Sequence, residues 1–267
     1  SQILNCKLLS KPQLLLFKMA KYIIALDQGT TSSRSVIINE TGEIIAMNQQ
    51  EFKQIFPNSG WVEHDAKEIL KTQLDTLKKV IKKANISPTN IVGIGITNQR
   101  ETTIIWDRKT GKSLYNAIVW QDRRTANYCA DLKEQGHEET VKAKTGLLLD
   151  PYFSATKIKW ILDNVEGARE KAQAGDLAFG TVDCFLLWRL TGGKVHATDA
   201  TNASGTLIFN VIHQEWDQEL LDLFDIPESL LPEVHDNCHN DGEAEIADEE
   251  IIIGGLGGDQ QSALIGQ

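Results

Sequence analysis

Within eight residues, Asp27-Gln28-Gly29-Thr30-Thr31-Ser32-Ser33-Arg34 sets a carboxylate, a glycine, four hydroxyls and a cation side by side. Gly29 permits a tight turn, and nearby N–H groups with the hydroxyls of Thr30, Thr31 and Ser32 can donate to phosphate oxygens. Arg34 can offset terminal phosphate charge. Asp27 is a hard oxygen ligand of the kind that holds Mg²⁺ directly or through water. The plainer reading is a hydroxyl-rich hairpin with an acidic turn residue. The apolar run directly before it favours a phosphate cradle.

A second group, Asn98-Gln99-Arg100-Glu101, closes another long apolar run. An adjacent cation and carboxylate can donate to and accept from neighbouring hydroxyls. Both reach one ligand only where the strand has ended or bulged, because successive strand side chains face opposite ways. A surface ion pair is the equal alternative. Trp120 and Tyr152 are candidates for an aromatic wall on the carbon face of a polyol, although with six tryptophans in the chain core packing is the default for any single one. In Gly257-Gly258-Asp259-Gln260-Gln261 the paired glycines allow close backbone approach. Asp259 reads either as the N-cap of a helix over 260–264 or as a base that accepts a hydroxyl proton during phosphoryl transfer.

Other chemistries find less support. Gly111-Lys112-Ser113 ends like a phosphate-binding P-loop, but Trp106 stands where that pattern needs its first glycine. No glycine fingerprint leads a strand into a helix, and no nucleophile elbow marks a hydrolase. His235, Cys238 and His239 form the best metal-like cluster, yet they lack a fourth ligand at recognisable spacing and read as a solvated loop. The net charge of -10 is the wrong sign for wrapping a nucleic-acid backbone. The four cysteines, Cys6, Cys129, Cys184 and Cys238, show no paired spacing, which fits a reducing, cytoplasmic setting. No apolar run reaches the length of a membrane span.

The elements that must position these residues read as follows. Residues 22–26, 35–38 and 44–46 are predicted strands, and 91–96 a strand covered on both faces. Asp65 and Glu68 make a capping-box pair that opens a helix running to Asn85 on an apolar stripe. Residues 103–106 and 117–120 are expected to flank a turn at 109–111, with helices near 126–134, 154–164 and 181–190. Residues 215–232 read as helix and loop, 236–250 as a polar linker, and 251–253 as a new strand. The order gives an α/β fold with a mixed sheet flanked by helices. Residues 1–18 read as a leader foreign to the fold, with Met19 as the natural start. Residues 19–250 read as one domain, and 251–267 as the first segment of a second, truncated one.

With those residues in view, the sequence resembles the FGGY carbohydrate kinases from about residue 19 to the end. Residues 152–164, Tyr-Phe-Ser-Ala-Thr-Lys-Ile-Lys-Trp-Ile-Leu-Asp-Asn, are similar throughout to the first family signature. The Asp-Gln-Gly-Thr-Thr-Ser, Asn-Gln-Arg-Glu-Thr-Thr, Asn-Ala-Ile-Val-Trp-Gln and Gly-Gly-Asp-Gln-Gln segments resemble the versions found in members that act on glycerol. The resemblance implies a two-domain, actin-like ATPase fold (ribonuclease H-like) and MgATP-dependent phosphorylation of glycerol to sn-glycerol 3-phosphate in glycerol catabolism. It implies that Arg100, Glu101, Tyr152, Asp259 and Gln260 bind glycerol while Trp120 packs on its carbons. Thr30, Thr31, Ser32 and Arg34 match the nucleotide-phosphate contacts, Asp27 the metal-associated carboxylate and Asp259 the base.

The adenine pocket of the family lies in its second domain, so residues 19–267 alone are expected to show little or no turnover. The family also implies a homodimer or homotetramer at full length. Two departures stand out. Residues 243–250 are short and acidic where some relatives have a longer loop that binds an inhibitory sugar bisphosphate, and Asp241 stands where relatives commonly carry tyrosine. Another polyol or sugar such as xylulose, or a polyol-binding module without catalysis, remain the alternative readings.

Overall fold

The computed structural model describes residues 20–267. The leader assigned to residues 1–18 lies outside the described residues. The chain opens with β1 (Tyr22–Gln28), β2 (Ser32–Asn39), β3 (Ile44–Glu51), the short β4 (Glu63–His64), α1 (Ala66–Ala84) and β5 (Ile91–Asn98). Next come β6 (Ile104–Asp107), β7 (Ala117–Ile118), α2 (Ala126–Glu134), α3 (Glu138–Thr145), α4 (Ser154–Asn164) and α5 (Ala168–Gln173). Then follow β8 (Leu177–Gly180), α6 (Val182–Leu190), β9 (Ala197–Asp199), α7 (Ala200–Ala203), β10 (Phe209–Asn210), β11 (Glu215–Trp216) and α8 (Gln218–Phe224). The chain closes with β12 (Glu233–His235), β13 (Glu243–Ile246), β14 (Glu249–Gly258) and α9 (Asp259–Gly266).

The main sheet has six strands in the order β13-β14-β5-β1-β2-β3. β1, β5 and β14 run parallel, and the β1–β2, β2–β3 and β13–β14 pairs are antiparallel, so the sheet is mixed as the sequence implied. Its core gathers Ile24, Leu26, Ile37, Ile94, Ile96 and Ile253 with Ile69, Leu77 and Val80 of α1 and the buried α6. A second core forms around Ile158, Ile161 and Leu162 of α4, with Phe179, Leu207, Leu221 and Phe224.

Several local expectations are revised. Asp65 caps α1 by accepting from the Lys67 N–H at 2.8 Å, but Glu68 turns away and accepts from the Lys53 N–H at 3.3 Å, so no reciprocal box forms. The stripe of α1 is not wholly apolar: Thr72, Gln73 and Thr76 are buried in it. They face the hydroxyl end of β2, with Ser33 Oγ 2.9 Å from Thr72 Oγ1 and Ser35 Oγ 2.9 Å from Thr76 Oγ1. Buried hydroxyls need partners, and the helix supplies them. Residues 103–106 and 117–120 meet at a single bridge, Thr103 with Ile118, while Trp106 bridges Ser113 and β6 finds its ladder with β8.

The domain boundary expected at residue 250 falls inside a strand. It cuts through β14, whose Ile253 to Gly258 pair with Ile94 to Asn98 of β5. Residues 243–246, read as linker, form β13 and close a hairpin on β14, with Ala247 and Asp248 both at positive φ in the turn. Ala244 and Ile246 are buried while Glu243 and Glu245 are exposed. This is the period-2 pattern of a half-buried edge strand, hidden in the sequence by its acidic alternate positions.

Candidate active site

Three parallel strands end on one rung. Gln28 of β1 and Gly258 of β14 both lie opposite Asn98 of β5, so Asp27, Arg100-Glu101 and Asp259 are delivered to the same carboxyl edge of the sheet. Open α/β sheets bind ligands in such positions, because the loops that leave adjacent strands diverge there. Arg100 lies between two carboxylates, Nη1 at 3.5 Å from Glu101 Oε1 and Nε at 3.7 Å from Asp259 Oδ1. The strand has ended at Asn98, which removes the alternation that would have separated Arg100 from Glu101.

Glu101 is held unusually tightly. Only 2 % of it is exposed, and its backbone is left-handed with φ 58°. Such a conformation persists in a non-glycine residue only where the surroundings enforce it. Ser154 and Thr103 hydroxyls donate to its carbonyl at 3.0 and 3.1 Å. Gly205 lies directly against the carboxylate, where a Cβ would come within 2.7 Å of Oε1. Burial pushes the Glu101 carboxyl up to about 7, against the lowering pull of Arg100 and Lys157 and with a further raising push from Asp259.

Trp120 and Tyr152 stand together, ring centroids 5.4 Å apart, and Trp120 Nε1 donates to Thr30 Oγ1 at 3.0 Å. That bond ties the aromatic wall to the hydroxyl loop. Burial raises the Tyr152 phenol, and Glu101 and Asp259 raise it further, as fits one shared space. Lys157, fully buried on α4, donates to the carbonyls of Pro151, Tyr152 and Phe153 and so fixes the segment that presents Tyr152. Its burial lowers its own ammonium to about 7.

On the other side, the Gly29 N–H donates to the Ser32 carbonyl at 2.9 Å, forming the tight turn. Thr31 is exposed and Thr30 partly so, while Ser32 accepts from Gln49 Nε2 at 2.9 Å. Ser33 leaves the group of four hydroxyls, because it points into α1. Arg34 faces Asp27 across the β1–β2 ladder at 3.7 Å. Burial raises the Asp27 carboxyl, Arg34 lowers it, and Asp259 raises it. Asp27 and Asp259, with side chains 33 % and 45 % exposed, offer hard oxygen donors that fit a Mg²⁺ ion retaining several waters. Asp259 is the first residue of α9 and Gly258 takes the N-cap position, so the capping reading of Asp259 does not hold. Gln260 is exposed, and its N–H donates to Asp259 Oδ1 at 2.9 Å.

The sequence reading missed the support behind this edge. Asn98 and Asn202 exchange hydrogen bonds at 2.9 and 3.1 Å. Asp199 accepts from Asn202 at 2.7 Å and from Asn237 at 2.8 Å, and Thr201 Oγ1 accepts from the Gly258 N–H at 2.8 Å. Asp183, fully buried, takes the Thr181 and Thr198 hydroxyls at 2.5 and 2.6 Å. Burial and the neighbouring Asp199 push its carboxyl up to about 7. A second network, through Gln28, Gln99, His64 and Gln54, braces the Gly29 turn, and burial drives His64 down to about 4. The run Asp199-Ala-Thr-Asn is a helix-start signature that could have exposed the first network.

Residues 22–266 match the N-terminal domain of the FGGY family of carbohydrate kinases, and the chain belongs to that family. The match runs through β14, in keeping with its place in the sheet, and on through α9. A glycerol kinase of Ectopseudomonas mendocina is 61% identical over 251 residues, 93% of this chain and 51% of the relative. One of Shewanella frigidimarina is 59% identical over 247 residues, 92% of this chain and 50% of the relative. The crystal structure of Plasmodium falciparum glycerol kinase with ADP superimposes with a TM-score of 0.87 at 37% identity, covering 92% of this chain and 50% of that one. A ligand-bound xylulose kinase from Lactobacillus acidophilus gives 0.78 at 26% identity, with 88% and 48% covered. The chain thus spans about half the length of the relatives it matches. Among the described residues, no helix is long and apolar enough to cross a membrane.

Proposed function

We propose that this chain forms the hydroxyl-substrate side of a glycerol kinase, which transfers the γ-phosphoryl group of ATP to glycerol. The observation that carries the reading is the convergence of Arg100, Glu101 and Asp259 at one sheet edge. Glu101 accepts from one glycerol hydroxyl and Arg100 donates to another, while Trp120 and Tyr152 cover the carbon face. Gln260 adds a polar contact beside Asp259. The reacting hydroxyl oxygen forms its bond to the γ-phosphorus as the bond to the β,γ-bridging oxygen breaks, and its proton passes to Asp259. ADP and sn-glycerol 3-phosphate result. Thr30, Thr31, Ser32 and Arg34 hold phosphate oxygens. Asp27 would hold Mg²⁺ directly or through water, and the ion would neutralise charge on the phosphates.

Positioning supplies most of the rate, so the tight seating of Glu101 matters more than the strength of any one base. The cytoplasm as setting and a homodimer or homotetramer at full length belong to the same reading. Glycerol-dependent ADP production by the full-length gene product is the test, with Asp259→Asn as the comparison. Undiminished turnover in that variant removes Asp259 as the base, and a higher kcat/KM on xylulose than on glycerol moves the substrate elsewhere in the family. Residues 19–267 alone are expected to show little or no turnover, and a rate near that of the full-length protein overturns that expectation.

A further inference from the structure

Away from the cleft, the segment after β12 brings His235, His239 and Asp241 together. Their potential ligand atoms lie within 4.8 Å of one another. His235 Nδ1 is 2.6 Å and His239 Nδ1 3.0 Å from the same atom, Asp241 Oδ1, and the two rings lie 4.2 Å apart. Asp241 is 1 % exposed, yet its other oxygen, Oδ2, has no hydrogen-bond partner. A buried carboxylate with one oxygen unanswered is costly unless something charged completes its shell. Glu233 Oε2 stands 3.1 Å from His235 Nε2 on the far side of the ring. A carboxylate at that position can hold a proton on Nε2 and so leave Nδ1 to a metal ion in exchange for its hydrogen bond with Asp241, the outer-shell arrangement that orients metal-binding histidines.

We propose that His235, His239 and Asp241 bind a zinc-class transition-metal ion that clamps the 235–241 segment to β14. Two imidazoles and a carboxylate select such an ion over Mg²⁺, which takes oxygen ligands. A tetrahedral ion with bonds of about 2.0 Å separates its ligand atoms by about 3.3 Å. To reach that value the His235 Nδ1–Oδ1 distance of 2.6 Å must open by about 0.7 Å and the His239 Nδ1–Oδ1 distance of 3.0 Å by about 0.3 Å. His239 is half exposed and free to make the smaller change, while the larger one falls to the less exposed His235 ring against Asp241. The fourth position falls to water from the adjoining cavity beside Lys194, His196 and Asn240, which also gives the ion a way in.

The position gives the ion a structural task. Asp241 donates its N–H to the Ile253 carbonyl at 2.9 Å, and Asn237 bonds both backbone groups of Leu256, at 2.9 and 3.0 Å. The clamped segment therefore grips β14 at two points short of Asp259. Cys238, between the ligands in sequence, is exposed and stands outside the cluster.

The test uses the full chain, Zn²⁺ and Co²⁺ alone as probes, and no activity readout. Calorimetry is expected to show one equivalent of Zn²⁺, with thermal unfolding shifted upward by several degrees and visible Co²⁺ bands of tetrahedral intensity. His239→Ala, a half-exposed position at which the fold survives, should lose about 100-fold or more in affinity. Cys238→Ser should bind as the unaltered chain does, and Mg²⁺ should not compete. Absence of stoichiometric binding, retention of affinity in a folded His239→Ala, or loss of it in Cys238→Ser each overturns the proposal.

Discussion

Two neighbouring strand ends are finished in opposite ways. After β5 the chain buries Glu101 in a left-handed turn, braces its carbonyl with two hydroxyls and backs its carboxylate with Gly205. After β1 it leaves Thr31 exposed, and Asp27 and Arg34 face each other at 3.7 Å with a third or more of each side chain in solvent. The first wall is set before any ligand arrives. The second is a more open scaffold, whose hydroxyls and charges would take phosphate on the proposed function. A small uncharged polyol offers little binding energy with which to order a site, whereas a nucleotide brings charge enough to organise its own contacts.

The sharpest way to break this contrast is Gly205→Ala. The new Cβ would meet a carboxylate that cannot swing away, so a loss of about 100-fold or more in kcat/KM for glycerol is expected, together with about 1–3 kcal/mol of stability by denaturant unfolding. Glu101→Gln should separate binding from folding. Loss of a charge-assisted hydrogen bond should raise the KM for glycerol by roughly 10-fold to 100-fold. The unfolding midpoint at pH 8 should hold or rise, because a buried charge has been removed.

Acid should act in the same direction on binding. Glu101 is pushed up to about 7, so glycerol affinity should fall as pH drops from 8 to 6, and the profile should flatten in Glu101→Gln. Its effect on stability has the opposite sign. A carboxyl raised in the folded state contributes stability that is present below its ordinary value and lost as pH rises through about 7. The smallest effect belongs to the open wall: Arg34→Ala should shift stability by about 0.5 kcal/mol or less, while the KM for ATP rises severalfold. A large loss of stability there would end the comparison.

Motif-bearing strand ends were legible because their chemistry is local. The apolar runs before Asp27 and Asn98 announced β1 and β5, and all three carboxylate-bearing loops arrived at one edge. The pairing of β14 with β5 was not legible, since parallel partners far apart in sequence leave no local period. Lys157 lies in a predicted helix, and nothing in its neighbours says that its ammonium turns back onto the carbonyls of residues 151–153. Gly205 gave no signal either, as the clash it avoids is with a side chain on another loop. The His235 cluster was half seen: the histidines were noted, but the side chain that the fold sets beside them is Asp241 rather than Cys238.

The place of β14 bears on how the molecule comes into being. Ile253 sits opposite Ile94, so β5 leaves the ribosome long before its second neighbour has been made. Until then an apolar strand presents an open edge, the hazard that growing sheets share with aggregates. Closing that edge and delivering Asp259 are one event. A chain still being built therefore cannot assemble the carboxylate pair of Asp27 and Asp259, and the site becomes chemically complete only once the sheet itself is safe.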